Sequence, residues 1–313
     1  MFNKSSKTLL IVFLVLLVLA AVFIYYDTST EERTFEKDIV KIDTSKVTSI
    51  LINPKVNGHQ EVKLFKEGNY WNVLLSNSKK VSADESKIKD LLAQLLRLKV
   101  SSLAAQDESK WSEFQVDSSG TRVKVFEGNK NTLDLVIGKF AFRQPRTMVS
   151  FVRLKGDKYV YEAENFMDFA FNRNANDFRI NTLLSDDYSH WKMLTFSYPA
   201  DSSFQLLKDT ANYWSVNNVR TDSAKTIDYL RTLSNLTSNN FVDDFNQNIL
   251  SKPKYTLTVE SSAFGSAIIY AYVDSSKIIL HSTRNPEAYF DGNANMLWQK
   301  IFVGKSAFLK KQR

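Results

Sequence analysis

The residues of this 313-residue chain best suited to chemistry are three histidines and two adjacent aspartate pairs; it contains no cysteine. His59, His190 and His281 stand far apart, with no His-x-x-x-His spacing to set two imidazoles on one helical face around a zinc ion. The lack of cysteine removes thiol catalysis, disulfides, cysteine–zinc sites and any lipid-modified cysteine. Asp186-Asp187 and Asp243-Asp244 are carboxylate pairs of the kind that holds a cation or cleaves a glycosidic bond. The first pair falls near a domain junction and the second shortly after a predicted helix, where solvated acids are ordinary. Only nine glycines occur, and no GxGxxG, Walker or GxSxG segment is among them. These patterns predict a non-enzymatic protein with no catalytic residues, no metal and no cofactor. An unrecognised carboxylate hydrolase is the remaining enzymatic alternative.

Two groups of aromatic residues suggest binding instead. Trp71 and Trp214 each follow a tyrosine, and such pairs stack on sugars when exposed. That would make a glycan- or peptidoglycan-binding module. Their recurrence at equivalent places in two similar segments points rather to shared core packing, because a large ring buries much area. The segment Lys139-Phe140-Ala141-Phe142-Arg143-Gln144-Pro145-Arg146 has no such counterpart. It is read as a loop joining two predicted strands, where the later segment has only Asp274-Ser275-Ser276. Phe140, Phe142, Arg143 and Arg146 are residue types favoured at interface hot spots and form the candidate partner-binding loop. In the alternative, the phenylalanines fold back onto the sheet.

The elements that must carry these residues come in two copies. Val62–Leu98 (VKLFKEGNYWNV, a spacer, DESKIKDLLAQLLRL) recurs in diverged form at Phe204–Leu236 (FQLLKDTANYWSV, a spacer, DSAKTIDYLRTLSNL). A period of about 140 residues is far beyond the 20 to 50 of a solenoid and indicates tandem domains. In the first copy, alternating and β-branched runs predict strands at 47–53, 61–66, 70–75, 121–127, 132–138, 147–154 and 158–163, with a turn at Glu67-Gly68-Asn69. A helix capped by Ser82 or Asp84 places Ile88, Leu91, Leu92 and Leu95 on one face. The second copy repeats that order, with a helix over about 222–236 whose inward residues are Tyr229, Leu230, Leu233 and Leu236. Strands flanking one long helix and joined by short turns predict two mostly antiparallel α+β domains, at 46–185 and 190–309.

The ends of the chain predict a membrane setting. Residues 8–26 carry no charge and are nearly all aliphatic, long enough to span a bilayer core of about 30 Å. Lys4 and Lys7 precede this run and Asp27, Glu31 and Glu32 follow it, so residues 1–7 are expected in the cytoplasm and the bulk of the chain outside. A cleaved signal peptide ending at Val18-Leu19-Ala20 is the alternative, but the apolar run continues six residues past Ala20. Residues 27–45 read as a polar stalk and 310–313 as a basic tail. Six of the formal +7 charges lie in Lys4, Lys7, Lys305, Lys310, Lys311 and Arg313, so the body is nearly neutral and no nucleic-acid partner is expected.

The apolar N-terminal run, the VTSILIN start, KEGNYWNV, the Asp-led leucine helix, LDLVIGK, FVRLKGDKYVYEA and the closing Asp177-Phe178-Arg179 with Leu183-Leu184 occur in that order. This arrangement resembles the bacterial family catalogued as domain of unknown function 4340, well over residues 40–185 and as a diverged copy thereafter. The resemblance implies a membrane-anchored envelope protein associated with an ABC-type transport or gliding-type export system, with a membrane-protein partner. It carries over no catalytic residue.

Overall fold

The computed structural model describes residues 13–22, 37–144, 146–245, 252–274 and 277–310. Residues 13–22 are helical and exposed, and among the described residues no helix is long and apolar enough to cross a membrane. The expected anchor 8–26 extends on both sides of that segment beyond the described residues. Residues 1–7, residues 27–36 of the expected stalk and 311–313 also lie outside them.

Runs of alternating apolar residues build the first sheet from β1 (Val47–Asn53), β2 (Val62–Glu67), β3 (Tyr70–Leu74), β4 (Lys80–Ser82), β5 (Lys99–Ala105), β6 (Thr121–Glu127), β7 (Lys130–Arg143), β8 (Thr147–Leu154) and β9 (Val160–Glu164). Their order is β4-β3-β2-β1-β6-β7-β8-β9-β5, and every neighbouring pair is antiparallel. After β10 (Thr182–Ser185), a second antiparallel sheet contains β11 (Trp191–Ser197), β12 (Phe204–Lys208), β13 (Trp214–Val216) and β14 (Val219–Arg220). It is completed by β16 (Tyr255–Ser261), β17 (Gly265–Asp274), β18 (Lys277–Ser282) and β19 (Asn285–Asp291), in the order β14-β13-β12-β11-β16-β17-β18-β19. The short β15 (Asn235–Thr237) pairs with β10. The chain is therefore α+β and antiparallel, as the patterning predicts.

Each sheet packs against one long helix. In α1 (Glu85–Leu96), Asp84 rather than Ser82 is the cap, accepting from the Ser86 amide at 3.0 Å, while Ser82 ends β4. Ile88, Leu91, Leu92 and Leu95 are all buried, each contributing about 1.5–3 kcal/mol of hydrophobic stabilisation. Three shorter helices are α2 (Trp111–Phe114), α3 (Met167–Phe171) and, near the C-terminus, α5 (Leu297–Ile301). In the second copy α4 (Ser223–Leu233) is capped by Asp222 and buries Leu230 and Leu233. It stops before Leu236, which enters the same core from β15. Trp71 and Trp214 are both buried, in the first and second cores respectively.

The two copies agree in their backbone fastenings. The Asp84 amide donates to the Phe178 carbonyl and the Asp222 amide to that of Phe308, both at 2.8 Å. Lys87 Nζ reaches the Arg179 carbonyl at 3.0 Å, and Lys225 Nζ that of Leu309 at 2.8 Å. At the other end of each copy, the Val100 amide donates to Lys37 and the Ser238 amide to Asn181. These last bonds move both expected boundaries. Ile39, Val40 and Ile42 pack on the first core, so residues 37–45 belong to the domain and not to a stalk. Leu183 and Leu184 are buried in the second core and do not close the first. The alternating charges Lys37, Asp38, Lys41 and Asp43 disguise the first of these segments as linker.

The crossing between copies therefore falls at Arg179 to Asn181, where a buried clamp forms. Arg179, 2 % exposed, donates to both Asp243 carboxylate oxygens at 2.8 Å and to Asn176 Oδ1 at 3.1 Å, with its guanidinium 3.7 Å over the Phe241 ring. Around it, the Ser82 amide donates to Glu287 and the Asn285 side chain to the Ile180 carbonyl.

Candidate functional site

The segment expected as a loop at 139–146 is instead the end of a long hairpin. Strand β7 continues to Arg143, with Phe140 opposite Ser150, Phe142 opposite Met148 and Arg143 opposite Thr147. The alternation Phe-Ala-Phe-Arg is a strand pattern, and it divides three of the four candidate residues between two faces. Phe140 and Phe142 lie on the face that carries the helices. Arg143 turns to the other face, where its guanidinium sits 6.0 Å from the Phe151 ring and binds both oxygens of Glu162. Arg146 is exposed in the turn.

Folding adds two residues that sequence reading missed. Phe140 meets Phe166 edge-on at 4.8 Å and Phe142 at 5.8 Å, and Phe166 stacks on Phe169 at 6.5 Å. Neither phenylalanine folds back fully: Phe142 is 70 % exposed, Phe169 69 % and Phe140 43 %. Arg173 lies 4.8 Å over Phe169 and donates to its carbonyl. Phe166 and Phe169 sit in the segment 165–171 after β9, whose apolar residues look like ordinary core until α3 buries Met167 and Phe171 and leaves Phe169 outside.

The backbone behind this cluster is held in a costly shape. Asn165 has a φ of 135°, a conformation that costs a non-glycine residue about 1–3 kcal/mol. It is fixed by the Asn165 amide bond to the Met148 carbonyl and by Asn165 Nδ2 on Gln94 of α1. The buried Ser150 hydroxyl completes the fastening, donating to the Asn165 carbonyl and accepting from the Met167 amide. The equivalent hairpin of the second copy ends at Asp274 opposite Lys277, and the one aromatic residue in its last four pairs, Tyr272, is buried.

Most of the other candidates are held by structural contacts, and Asp244 is exposed. His59 is exposed, and the His281 ring is stacked 4.6 Å from Tyr289 with Nδ1 3.0 Å from the Ala288 carbonyl. Asp187 caps the Ser189 amide, and Asp243 belongs to the Arg179 clamp. Among the described residues no three His, Asp or Glu side chains converge as a metal site would require. Asp186 accepts from Trp191 Nε1 at 2.8 Å and Ser261 Oγ at 2.7 Å, and pairs with His190 Nδ1 at 3.0 Å.

Burial alone would raise the Asp186 pKa, but the hydrogen bonds from His190, Ser261 and Trp191 outweigh it and hold the carboxyl below its ordinary 3.8. A depressed folded-state pKa gives stability that is present above the unfolded value and is lost as pH falls through the folded one. In urea titrations at a series of pH values, Asp186→Asn is therefore expected to lose less stability than the parent chain as the pH falls below 4. An equal acid loss in both would remove Asp186 as its source.

A family model described as "Domain of unknown function (DUF4340)" matches residues 15–109 and 71–258. No curated protein and no solved structure matches the chain.

Proposed function

We propose, for a chain that belongs to the DUF4340 family, a non-enzymatic role as a membrane-anchored envelope protein. In this reading it is an accessory or scaffold subunit of a membrane complex, of ABC-type transport or gliding and export kind. Residues 8–26 hold it in the bilayer, and both domains lie on the extracytoplasmic side. The anchor is supported by the uncharged run and the charge asymmetry of its flanks. The scaffold role is supported by two copies of one fold clamped together at Arg179, with Asp186, Asp187, His190 and Asp243 committed to capping and pairing.

The observation that carries the docking part is the hairpin end of the first copy, which is solvent-facing and carries Phe140 and Phe142 beyond the length at which the second copy's strands end, at the Asp274–Lys277 pair. The rival glycan-binding reading relied on exposed Tyr, Trp and Phe; Trp71 and Trp214 are core residues, which weakens it, while Tyr70 and Tyr213 are exposed. A photo-crosslinking amino acid at position 146, introduced into the full chain in native membranes, is expected to capture a membrane protein. Shortening the 139–146 hairpin should abolish capture from a second crosslinker placed at position 147. An unchanged set of captured proteins after shortening rules the hairpin out as the docking element.

A further inference from the structure

We infer that Phe140, Phe142, Phe166 and Phe169 form a foot that rests in the interfacial layer of the bilayer, against its headgroups and upper acyl chains. This rests on the proposed anchor at residues 8–26 and goes beyond it by naming a second, folded contact with the same membrane.

Position in the sheet carries the inference first. Ala141 is paired with Val149, Val149 with Glu164, and Glu164 with Lys99, while the Val100 amide binds the Lys37 carbonyl. Neighbouring strands lie about 4.8 Å apart, so this row puts the hairpin end about 15–20 Å from Lys37. The aromatic cluster and the point where the chain arrives from its apolar segment thus share one end of the first domain. Ten residues, 27–36, separate that segment from Lys37, and ten residues reach at most about 35 Å. An anchor at 8–26 keeps this end of the sheet close to the membrane.

Chemistry carries it second. Phe142 and Phe169, both largely exposed, are linked through Phe140 and Phe166 in one chain of rings, a poor surface to leave in water. Arg173 over Phe169, Arg97 and Lys87 in the groove they share with Phe169 and Asp90, and Arg146 exposed in the hairpin turn supply cations suited to anionic headgroups. The hairpin is also two-sided: its rings face one way, and the Arg143–Glu162 pair faces the other. The strained, hydrogen-bonded Asn165 fixes the angle at which Phe166 joins the cluster.

The absence of native cysteine allows a clean test. Phe142→Cys, Phe169→Cys and Asn129→Cys are made singly in the full chain, labelled with an environment-sensitive fluorophore and reconstituted into phosphatidylcholine–phosphatidylglycerol vesicles. Position 129 lies at the far end of the same hairpin, about 40 Å away at 3.3 Å per residue. Lipids carrying a quencher near the headgroup should quench positions 142 and 169 about threefold more than 129, as rings seated 5–10 Å into that layer require. Thermal unfolding of each labelled chain confirms that the fold survives. Equal quenching at all three positions in a chain that floats with the vesicles overturns the foot and leaves the anchor standing. Failure to float sinks the anchor and the foot together. Absence of quenching at 142 combined with protein crosslinks from 142 in native membranes assigns the surface to a protein and overturns the lipid contact.

Discussion

Replacing Arg179 by alanine is expected to lower the stability of the chain by about 3 kcal/mol, among the largest effects of any single charged residue in it. Arg179 is all but fully buried and makes a two-pronged bond to Asp243 while lying flat on Phe241. Charge-assisted bonds of this type contribute about 1.5–3 kcal/mol, and a desolvated cation over a ring about 2 kcal/mol more. Asp243 is 28 % exposed, so water recovers part of its solvation once the guanidinium is gone. That places the cost toward the lower end of the 3–5 kcal/mol typical of breaking a buried pair. Arg179→Met keeps most of the packing against Phe241 and should cost less. Arg179→Lys keeps the charge but not the planar fork, and should be nearly as damaging as alanine.

The clamp also joins the copies, because Arg179 leaves the first domain where Asp243 and Phe241 reach back from the second. Urea unfolding of the parent should be a single transition, and that of Arg179→Ala should broaden or split into two. A double-mutant cycle with Asp243→Ala should return a coupling of about 2 kcal/mol. Additive losses would mean that the pair does not act as a unit and that other contacts hold the junction.

How much of this was legible in the chain depends on the range of the interaction. The leucine face of α1, the strands of each copy and the burial of Trp71 and Trp214 follow from local period and from repetition, and the fold adopts them. Phe140 and Phe142 were visible because their segment lacks a counterpart. Phe166 and Phe169 were not, since only the packing of α3 decides which of its apolar residues stay outside. The clamp was hidden for a different reason. Arg179 and Asp243 are 64 positions apart, and an acidic pair after a helix reads as solvated until the fold brings a guanidinium to it. The domain boundaries were hidden because Ile39-Val40 and Leu183-Leu184 are short apolar pairs among polar residues, and only their packing on the first and second cores, respectively, assigns them to the domains that follow.

Phe178→Ala and Phe308→Ala should each cost about 3–5 kcal/mol, and each should weaken its own copy. Both rings are buried at the last turn of their domain, and the carbonyl of each accepts from the aspartate that caps the long helix. Each ring thus latches the end of a domain onto the start of its helix, across a stretch of chain that closes the core. The two sites differ in their surroundings. Phe308 lies 5.0 Å edge-on from Tyr229 and within about 6 Å of Phe196 and Phe204. The corresponding aromatic contacts are absent around Phe178 among the described residues, where Leu and Ile side chains line the core. Aromatic pairs add about 0.5–1.5 kcal/mol beyond their area, so Phe308→Ala should be the more costly of the two. Amide hydrogen exchange separates the effects: Phe178→Ala should lower protection in α1 and spare α4, and Phe308→Ala should do the reverse. Such a result requires that each copy can open while the Arg179 junction still holds its neighbour folded. If protection falls equally in both helices with either substitution, the two copies unfold as one unit, and the latch is a property of the whole chain instead of each domain.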